Sequence, residues 1–406
     1  MNAPTHPRSA LLSVAALVTL LIVGFCPIPV GWACSARDAA RSPGMNRVDR
    51  EADAGGYYEG LITGGAGSKG SRGELALRLL GKPADWVRFH EAGVARVLPT
   101  EFLQFELRPN QNRSLFGQPF TTNDFGMRDR PYTVEKAPNT FRIALLGSSI
   151  DMGWGVGTDA TYESRLEDWL NQHAARRGLS RRFEILNFAV AAYGPAQRLE
   201  SFRGKALAFQ PDMVIYSATM LDLRLLEIHM CGLLQSRDDL HFDFLRQAVA
   251  AAHLTESDLR LNSEGELANK ETVKAKLRPF YWSITGSSVA ALAADCRSAH
   301  LPLVCVIVPR VGLADAPSAR ADAVANHRRI AARAGIPVID LTATFDKRDP
   351  GSIEIAAWDD HPNSLGHKLL FRALASRLVE DPVLYRTLFD GAKSEPRPVS
   401  RSEDRD

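Results

Sequence analysis

Two short stretches, far apart in the chain, hold residue types able to do acyl chemistry. The first is Gly147-Ser148-Ser149-Ile150-Asp151-Met152-Gly153-Trp154-Gly155-Val156, which directly follows the apolar Leu145-Leu146. A glycine lets the backbone turn sharply as it leaves a strand. A serine placed there exposes its hydroxyl, and its own N–H can face a developing oxyanion. Taken alone, Gly-Ser-Ser reads first as a turn with a helix cap. The second stretch is Trp358-Asp359-Asp360-His361-Pro362-Asn363-Ser364-Leu365-Gly366-His367. A serine hydroxyl is a weak nucleophile until a base takes its proton, and a histidine held by a carboxylate is the usual base. Asp359 and His361 lie two apart, in what reads as a loop before the final helix. Ser149 is therefore the best candidate nucleophile, provided the fold brings the two stretches together.

Other residues invite weaker readings. Asp151, two after Ser149, can contact substrate or cap a turn, and the cap is favoured. Trp154 can stack on a sugar or pack in the core, and packing is favoured. Arg310, after an apolar run, points toward the same edge and can bind an anionic sugar or lie on the surface. His229 and His367 have no spacing that demands a metal, and neither metal nor cofactor is expected. Gly64-Gly65-Ala66-Gly67-Ser68-Lys69-Gly70-Ser71 lacks the Gly-Lys-Ser/Thr order of a phosphate loop and no strand leads into it, so it reads as a linker.

The elements that must carry these residues alternate regularly. Short runs rich in β-branched residues occur at Phe141–Leu146, Phe183–Leu186, Met213–Tyr216, Leu303–Val308 and Ile336–Ile339. Between the first two, Tyr162, Leu166, Trp169 and Leu170 fall on one helical face. Ala196–Ala208, Ser287–Ala299 and Ser318–Arg333 fill later gaps. A last helix begins after Asn363, a good cap, with Leu370, Leu374 and Leu378 four apart. This alternation predicts a three-layer α/β/α domain over 141–388, with a doubly wound five-stranded parallel sheet in flavodoxin-like order. A helical insertion at about 224–282, after the third strand, reads equally as a lid or specificity wall and as a peripheral decoration. Residues 96–140 read as a β-rich lead-in, 34–95 as flexible and 389–406 as a disordered tail.

In the order of these blocks, from roughly Phe102 to Leu378, the chain resembles the SGNH/GDSL hydrolases. Gly147-Ser148-Ser149 with Gly153-Trp154-Gly155-Val156 matches the first block, Asn187-Phe188-Ala189-Val190-Ala191-Ala192-Tyr193-Gly194 the second, and Asp359-Asp360-His361-Pro362-Asn363 the fifth. The resemblance implies Ser149 as nucleophile, His361 as base and Asp359 as orienter, with the backbone N–H groups of Ser149 and Ala192 facing the oxyanion. The Asp-x-His spacing is similar to the branch that handles acyl groups on polysaccharides. The lead-in Phe120-Thr121-Thr122-Asn123-Asp124-Phe125-Gly126-Met127-Arg128-Asp129 also looks like exported members. There are departures. Ser148 stands for the first-block aspartate, and Ala192 for the second-block glycine. Leu221-Asp222 stands where the family has Asn-Asp, so a side-chain oxyanion donor is missing, a loss of roughly 10²–10³ in rate where such donors have been removed. Ser217, Thr219 and Arg224 are the candidate substitutes. Asp222, if ionised, only accepts hydrogen bonds, which leaves it as a candidate substrate contact.

Composition is that of an ordinary globular protein: 406 residues, 45% apolar and 24% charged, with 49 basic against 47 acidic residues. That balance carries no electrostatic footprint for nucleic acid. Arg8 followed by the uncharged run 10–25, then Pro27, Pro29 and small residues, reads as an export signal. Residues 1–33 are either a peptide cleaved after Ala33 or, through residues 10–32, an anchor long enough to span a bilayer; lipidation at Cys34 is a further alternative. The remaining chain is expected outside the cytoplasm. Cys231, Cys296 and Cys305 lack metal spacing and read as buried free thiols rather than a disulfide. Two classes of function follow: a serine esterase or O-acyltransferase on an acylated carbohydrate, or a binding protein on the same fold with its catalysis eroded. Oligomeric state is not legible.

Overall fold

The chain divides into two units, Met1–Gly55 and Gly56–Asp406. The computed structural model describes residues 89, 92–98, 101–115, 117–263, 265–311, 317–356 and 359–390, all in the second unit. The N-terminal export segment, Cys34, the glycine-rich 64–71 stretch and residues 391–406 lie outside the described residues. Phe89, expected in the flexible region, and Phe389, expected in the tail, are instead buried core residues, because each packs its ring into an apolar cluster. Among the described residues, no helix is long and apolar enough to cross a membrane.

The lead-in forms two small antiparallel hairpins. Strand β1 (Ala95–Val97) pairs with β2 (Phe105–Leu107), and β3 (Asn112–Leu115) pairs with β4 (Gln118–Thr121). The alternation read in the sequence is real in β2, where Phe105 and Leu107 are buried and Glu106 only partly so. No strand follows between 122 and 139. There the Asn123 side chain organises a turn, its Oδ1 accepting the N–H groups of Phe125 at 3.0 Å and Met127 at 3.1 Å.

The body of the chain then runs in the predicted alternation. Strand β5 (Thr140–Leu146) leads to the short helix α1 (Ser149–Met152) and to α2 (Tyr162–Arg176). There follow β6 (Arg182–Asn187), α3 (Pro195–Gly204), β7 (Met213–Thr219), α4 (Asp222–Ser236), α5 (Asp243–Ala251), α6 (Lys270–Leu277), α7 (Tyr281–Ser298), β8 (Leu303–Val308), α8 (Pro317–Ala334) and β9 (Val338–Asp340). A helical turn α9 (Pro350–Ile353), a hairpin of β10 (Glu354–Ala356) with β11 (Asp359–Pro362), α10 (Ser364–Glu380), a short helix α11 (Pro382–Tyr385) and a last helical turn (Arg386–Asp390) complete the body, with Leu384, Leu388 and Phe389 buried in its core.

Strands β6-β5-β7-β8-β9 form one sheet in that order, every pair parallel. This is the expected flavodoxin-like order. Successive residues on a strand point to opposite faces, and here both faces are covered. Leu303, Cys305 and Ile307 of β8 join one apolar cluster, while Val304, Val306 and Val308 join another. That double burial explains why the strands read as continuous apolar runs. The fifth strand begins two residues later than expected. Gly335, at φ +69°, ends α8 in the left-handed conformation, and the Ile336 N–H reaches back to the Ala331 carbonyl at 2.9 Å. Ile336 is thus the buried apolar residue of a helix cap, not part of the strand.

The insertion is neither a free lid nor a surface ornament. Met230 and Leu233 of α4, Leu245 of α5, and Val273 and Leu277 of α6 are fully buried in the same cluster as Leu146, Val214 and Tyr216 of the sheet. A third cluster lies away from these two. Phe89, Val94, Phe105, Leu107 and Phe120 of the lead-in pack there against Met152, Trp154 and Ala189–Tyr193. Side chains of the body also grip the lead-in backbone. The Tyr193 hydroxyl donates to the Phe105 carbonyl at 2.8 Å, and Gln197 Nε2 donates to the Leu103 carbonyl at 2.8 Å.

Candidate active site

The site forms at the carboxyl edge of the sheet, where β5 and β7 lie side by side and the strand order reverses. Strand β5 delivers Ser149 at the first position of α1. The entry is tight. Asp151 turns back so that its Oδ2 accepts the Ser148 N–H at 2.7 Å, and a Cβ on Gly147 would lie 2.2 Å from that oxygen. Glycine is therefore required at 147. The first N–H groups of a helix have no intrahelical partner, and Ser149 is in that position.

Hairpin β10–β11 delivers the other two residues. Asp359 and His361 lie in a strand rather than the loop expected, and strand period two puts their side chains on one face. Asn363 locks the hairpin to the last helix. Its Oδ1 caps α10 by accepting the N–H groups of Leu365 at 2.9 Å and Gly366 at 3.1 Å, while its Nδ2 donates to the carbonyls of Ser352 and Glu354, each at 3.0 Å.

The structure brings Ser149, His361 and Asp359 together. His361 Nε2 lies 2.8 Å from Ser149 Oγ, and His361 Nδ1 lies 2.6 Å from Asp359 Oδ1. All three are buried. An ionised carboxylate only accepts, so Nδ1 carries the ring proton and Nε2 offers its lone pair to the serine hydroxyl. Asp359 Oδ1 also accepts the His361 N–H at 3.1 Å, and Oδ2 accepts the indole N–H of Trp154 at 3.1 Å. Burial pushes the imidazole toward neutrality, yet the Asp359 carboxylate outweighs it and holds His361 above the ordinary histidine value. Burial likewise works against the Asp359 charge, and the His361 partnership with the Trp154 donor overcomes it, leaving Asp359 below its ordinary value.

A cavity opens over this group. Ser148 and Ser149 line it from β5 and α1, Thr219 and Leu221 from the end of β7, and Asp360 and His361 from β11. Arg310, which follows β8, borders it too and is ion-paired with Asp360. Asp359, Asp360 and His361 are close enough together to resemble metal ligands. Their donor atoms face His361, Arg310 and Ser149 instead, so the set is already engaged within the protein.

The remaining sequence candidates fall elsewhere. Asp151 borders the cavity, but both its oxygens are occupied internally, Oδ1 by the Tyr162 hydroxyl at 2.6 Å. Trp154 is buried, edge-on to Phe89 at 5.8 Å, with its N–H on Asp359, so it cannot stack on a sugar. Asp222 is fully buried and paired with Arg198 at 2.8 Å, which removes it from substrate contact. Of the substitutes for the missing asparagine, Thr219 borders the cavity. Ser217 is fully buried in β7, and Arg224 pairs with Glu227. Ala192 sits at φ +68°, the left-handed region, where the family has glycine. His367 Nδ1 accepts the Tyr162 N–H at 3.1 Å and His229 Nε2 bonds the Phe102 carbonyl at 2.7 Å, so both are structural. Cys231, Cys296 and Cys305 are free and buried.

Sequence reasoning passed over the part played by Trp154 behind Asp359 and by Asp360 in the cavity wall. The alternation of side chains along Asp359-Asp360-His361 was the available signal for Asp360, once the stretch is taken as extended.

A five-stranded parallel sheet carrying a serine, a histidine and a carboxylate in hydrogen-bonded sequence at its carboxyl edge is the architecture of an ester hydrolase. The sequence model of the GDSL-like lipase/acylhydrolase family matches residues 145–369, more than half of the chain. The protein belongs to this family. Among solved structures, it is similar to a lipase/acylhydrolase from Enterococcus faecalis (14% identity, 59% of this chain and 95% of that one, TM-score 0.35). It is also similar to a mutant of the acetyl-xylooligosaccharide esterase Axe2 from Geobacillus Stearmophilus (16% identity, 58% and 93%, TM-score 0.38). A third similarity is to a two-domain esterase active on acetylated mannans (15% identity, 59% and 49%, TM-score 0.35). A search of curated proteins finds no match.

Proposed function

We propose that the protein is a serine esterase that removes a short acyl group, acetyl above all, from a carbohydrate ester through an acyl-enzyme on Ser149. The observation that carries this reading is the unbroken line from Ser149 Oγ to His361 Nε2 at 2.8 Å and from His361 Nδ1 to Asp359 Oδ1 at 2.6 Å. Ser149 Oγ attacks the ester carbonyl while His361 Nε2 takes the hydroxyl proton. The bond to the alkoxy oxygen then breaks, and His361 returns the proton to the departing alcohol. Water repeats the sequence on the acyl-serine and releases the carboxylic acid. Asp359 keeps its negative charge throughout and steadies the imidazolium.

Backbone N–H groups of Ser149 and Ala192 are the proposed oxyanion donors, with the Thr219 hydroxyl in place of the missing asparagine. Thr219 Oγ1 accepts the Leu221 N–H at 3.4 Å, which leaves its own proton free to donate into the cavity. The carbohydrate part of the reading rests on the Asp-x-His spacing and on the polar wall of Ser148, Thr219, Asp360 and Arg310. Action outside the cytoplasm rests on the basic-then-apolar N-terminal sequence alone. One observation favours a second reading: Leu221 in the cavity wall is what a binding protein with eroded catalysis would keep.

A fluorophosphonate probe separates the two. Labelling of wild type and not of Ser149→Ala, with turnover of p-nitrophenyl acetate, is the expected result. Folded wild type that neither labels nor turns over acetyl esters sinks the esterase reading. An acetyl group passed to an added oligosaccharide faster than to water makes the enzyme an O-acyltransferase with the same first step.

A further inference from the structure

The segment between β4 and β5 buries a cation that the acyl chemistry above does not use. Arg128 is 1% exposed and reaches the far end of α1. Its Nη1 donates to the carbonyls of Met152 at 2.7 Å and Gly153 at 2.9 Å. Its Nη2 donates to the Val156 carbonyl, and to that of Pro119 at 3.4 Å. The Phe120 ring covers the guanidinium at 5.0 Å.

A helix of four residues cannot hold itself together, and the last carbonyls of any helix need outside partners. In α1 each one has a partner. The Ser149 carbonyl accepts the N–H groups of Gly153 and Trp154, and that of Ile150 accepts Gly153. The Asp151 carbonyl accepts Asn187 Nδ2 at 2.8 Å, and that of Met152 accepts Arg128. Gly153 admits the guanidinium: a Cβ there would lie 2.5 Å from Arg128 Nη1, and the backbone sits at φ +83°. Burial lowers the Arg128 pKa to about 10, against the pull of Glu163 and Asp129, so the side chain stays charged at neutral pH.

The clamped backbone carries both ends of the catalytic line. Ser149 stands at the head of α1, three residues before Met152. Trp154 stands between the clamped carbonyls of Gly153 and Val156, and its indole N–H holds Asp359 Oδ2. We propose that Arg128 and Trp154 are positioning residues: Arg128 sets the Met152–Val156 backbone, and Trp154 on that backbone sets the carboxylate that orients His361. The proposal rests on the catalytic reading of Ser149, Asp359 and His361. Lysine is no substitute for Arg128, because a point charge cannot address several carbonyls through a fixed planar fork.

The test uses the full chain as wild type, Ser149→Ala, Trp154→Phe, Arg128→Lys and Arg128→Met. Two quantities are read: the His361 titration midpoint by NMR of labelled histidine, and kcat and KM on p-nitrophenyl acetate. Trp154→Phe keeps the buried ring and removes the donor, so the Asp359 charge acts more strongly on the imidazolium. The His361 midpoint should rise by roughly half a unit or more, and kcat should fall about tenfold or more with KM within about twofold. Arg128→Met should lower kcat at least as much, with Arg128→Lys restoring only part.

A folded Trp154→Phe with wild-type midpoint and kcat overturns the proposal. So does an Arg128→Lys enzyme indistinguishable from wild type. If the Arg128 variants do not fold, Trp154→Phe decides alone. If wild type shows no Ser149-dependent turnover, the catalytic reading fails separately, and the histidine titration, which needs no turnover, still decides whether Trp154 governs His361.

Discussion

At the scale of single residues, the site depends on how one carboxylate shifts one imidazole. His361 is buried, which alone would depress its basicity, and Asp359 reverses that. The base must be neutral to accept the serine proton, so kcat/KM should rise with pH through a midpoint above the ordinary histidine value of about 6.5. Asp359→Asn should move the midpoint below that value, since burial, helped by Arg310, then outweighs the remaining pull of Asp360, and lower kcat on the order of 10³–10⁴-fold. A pH–rate profile for both enzymes checks this, and an unmoved midpoint would exclude Asp359 as the orienter. Thr219→Val, nearly isosteric, should cost about 10²-fold in kcat if the hydroxyl faces the oxyanion; single-turnover kinetics with loss confined to acylation and deacylation, and KM unchanged, would bear that out. Much of this was legible in the sequence, because Ser149 and the Asp-x-His pair each sit beside strong turn or cap signals. Trp154 was not, because an aromatic beside a nucleophile looks the same whether it faces substrate or holds a carboxylate. Asp222 was misplaced for a similar reason: its burial against Arg198 comes from residues 24 positions away on another helix.

At the scale of elements, the entry into α1 is a tightly constrained turn. Gly147→Ala should displace Asp151, breaking its bonds to the Ser148 N–H and the Tyr162 hydroxyl. A loss of roughly 1–3 kcal/mol is expected by denaturant melts, together with slower fluorophosphonate labelling. Wild-type stability with wild-type labelling would show that the turn relaxes freely. Strand and helix positions were readable because a doubly covered parallel sheet makes its strands uniformly apolar, and because Asn363 announces the start of α10. Two elements escaped. Ile336 belongs to the end of α8 through a left-handed glycine cap, and apolar character alone does not separate a cap residue from a strand. The β10–β11 hairpin is three and four residues long, too short for alternation to rise above the noise of a loop.

At the scale of the whole molecule, a buried acidic group joins the lead-in to the body. Asp129 accepts the Asn187 N–H at 2.8 Å, Glu167 accepts the Ile185 N–H at 2.7 Å and pairs with Arg130, and Glu163 Oε1 has no hydrogen-bond partner. Burial first, and then its acidic neighbours Asp129 and Glu167, hold the Glu163 pKa well above the ordinary carboxylate value, with Arg130 opposing. A carboxyl whose pKa is raised by folding stabilises the protein fully below its unfolded pKa and loses that contribution as pH rises through the folded value. Glu163→Gln should therefore melt higher than wild type at pH 8, by roughly 1–3 kcal/mol, with the gap closing toward pH 4. Equal melting at both pH values would mean that the site is hydrated or Glu163 ionises unhindered. The lead-in also changes what counts as the heritable unit. The family match spans 145–369, yet Arg128 and the ring of Phe120 lie before it and hold the backbone that bears Ser149. Recombination between relatives at the match boundary would join a catalytic half to a foreign brace. Lineages carrying this lead-in should therefore exchange it together with the Met152–Val156 turn, as one module, or not at all.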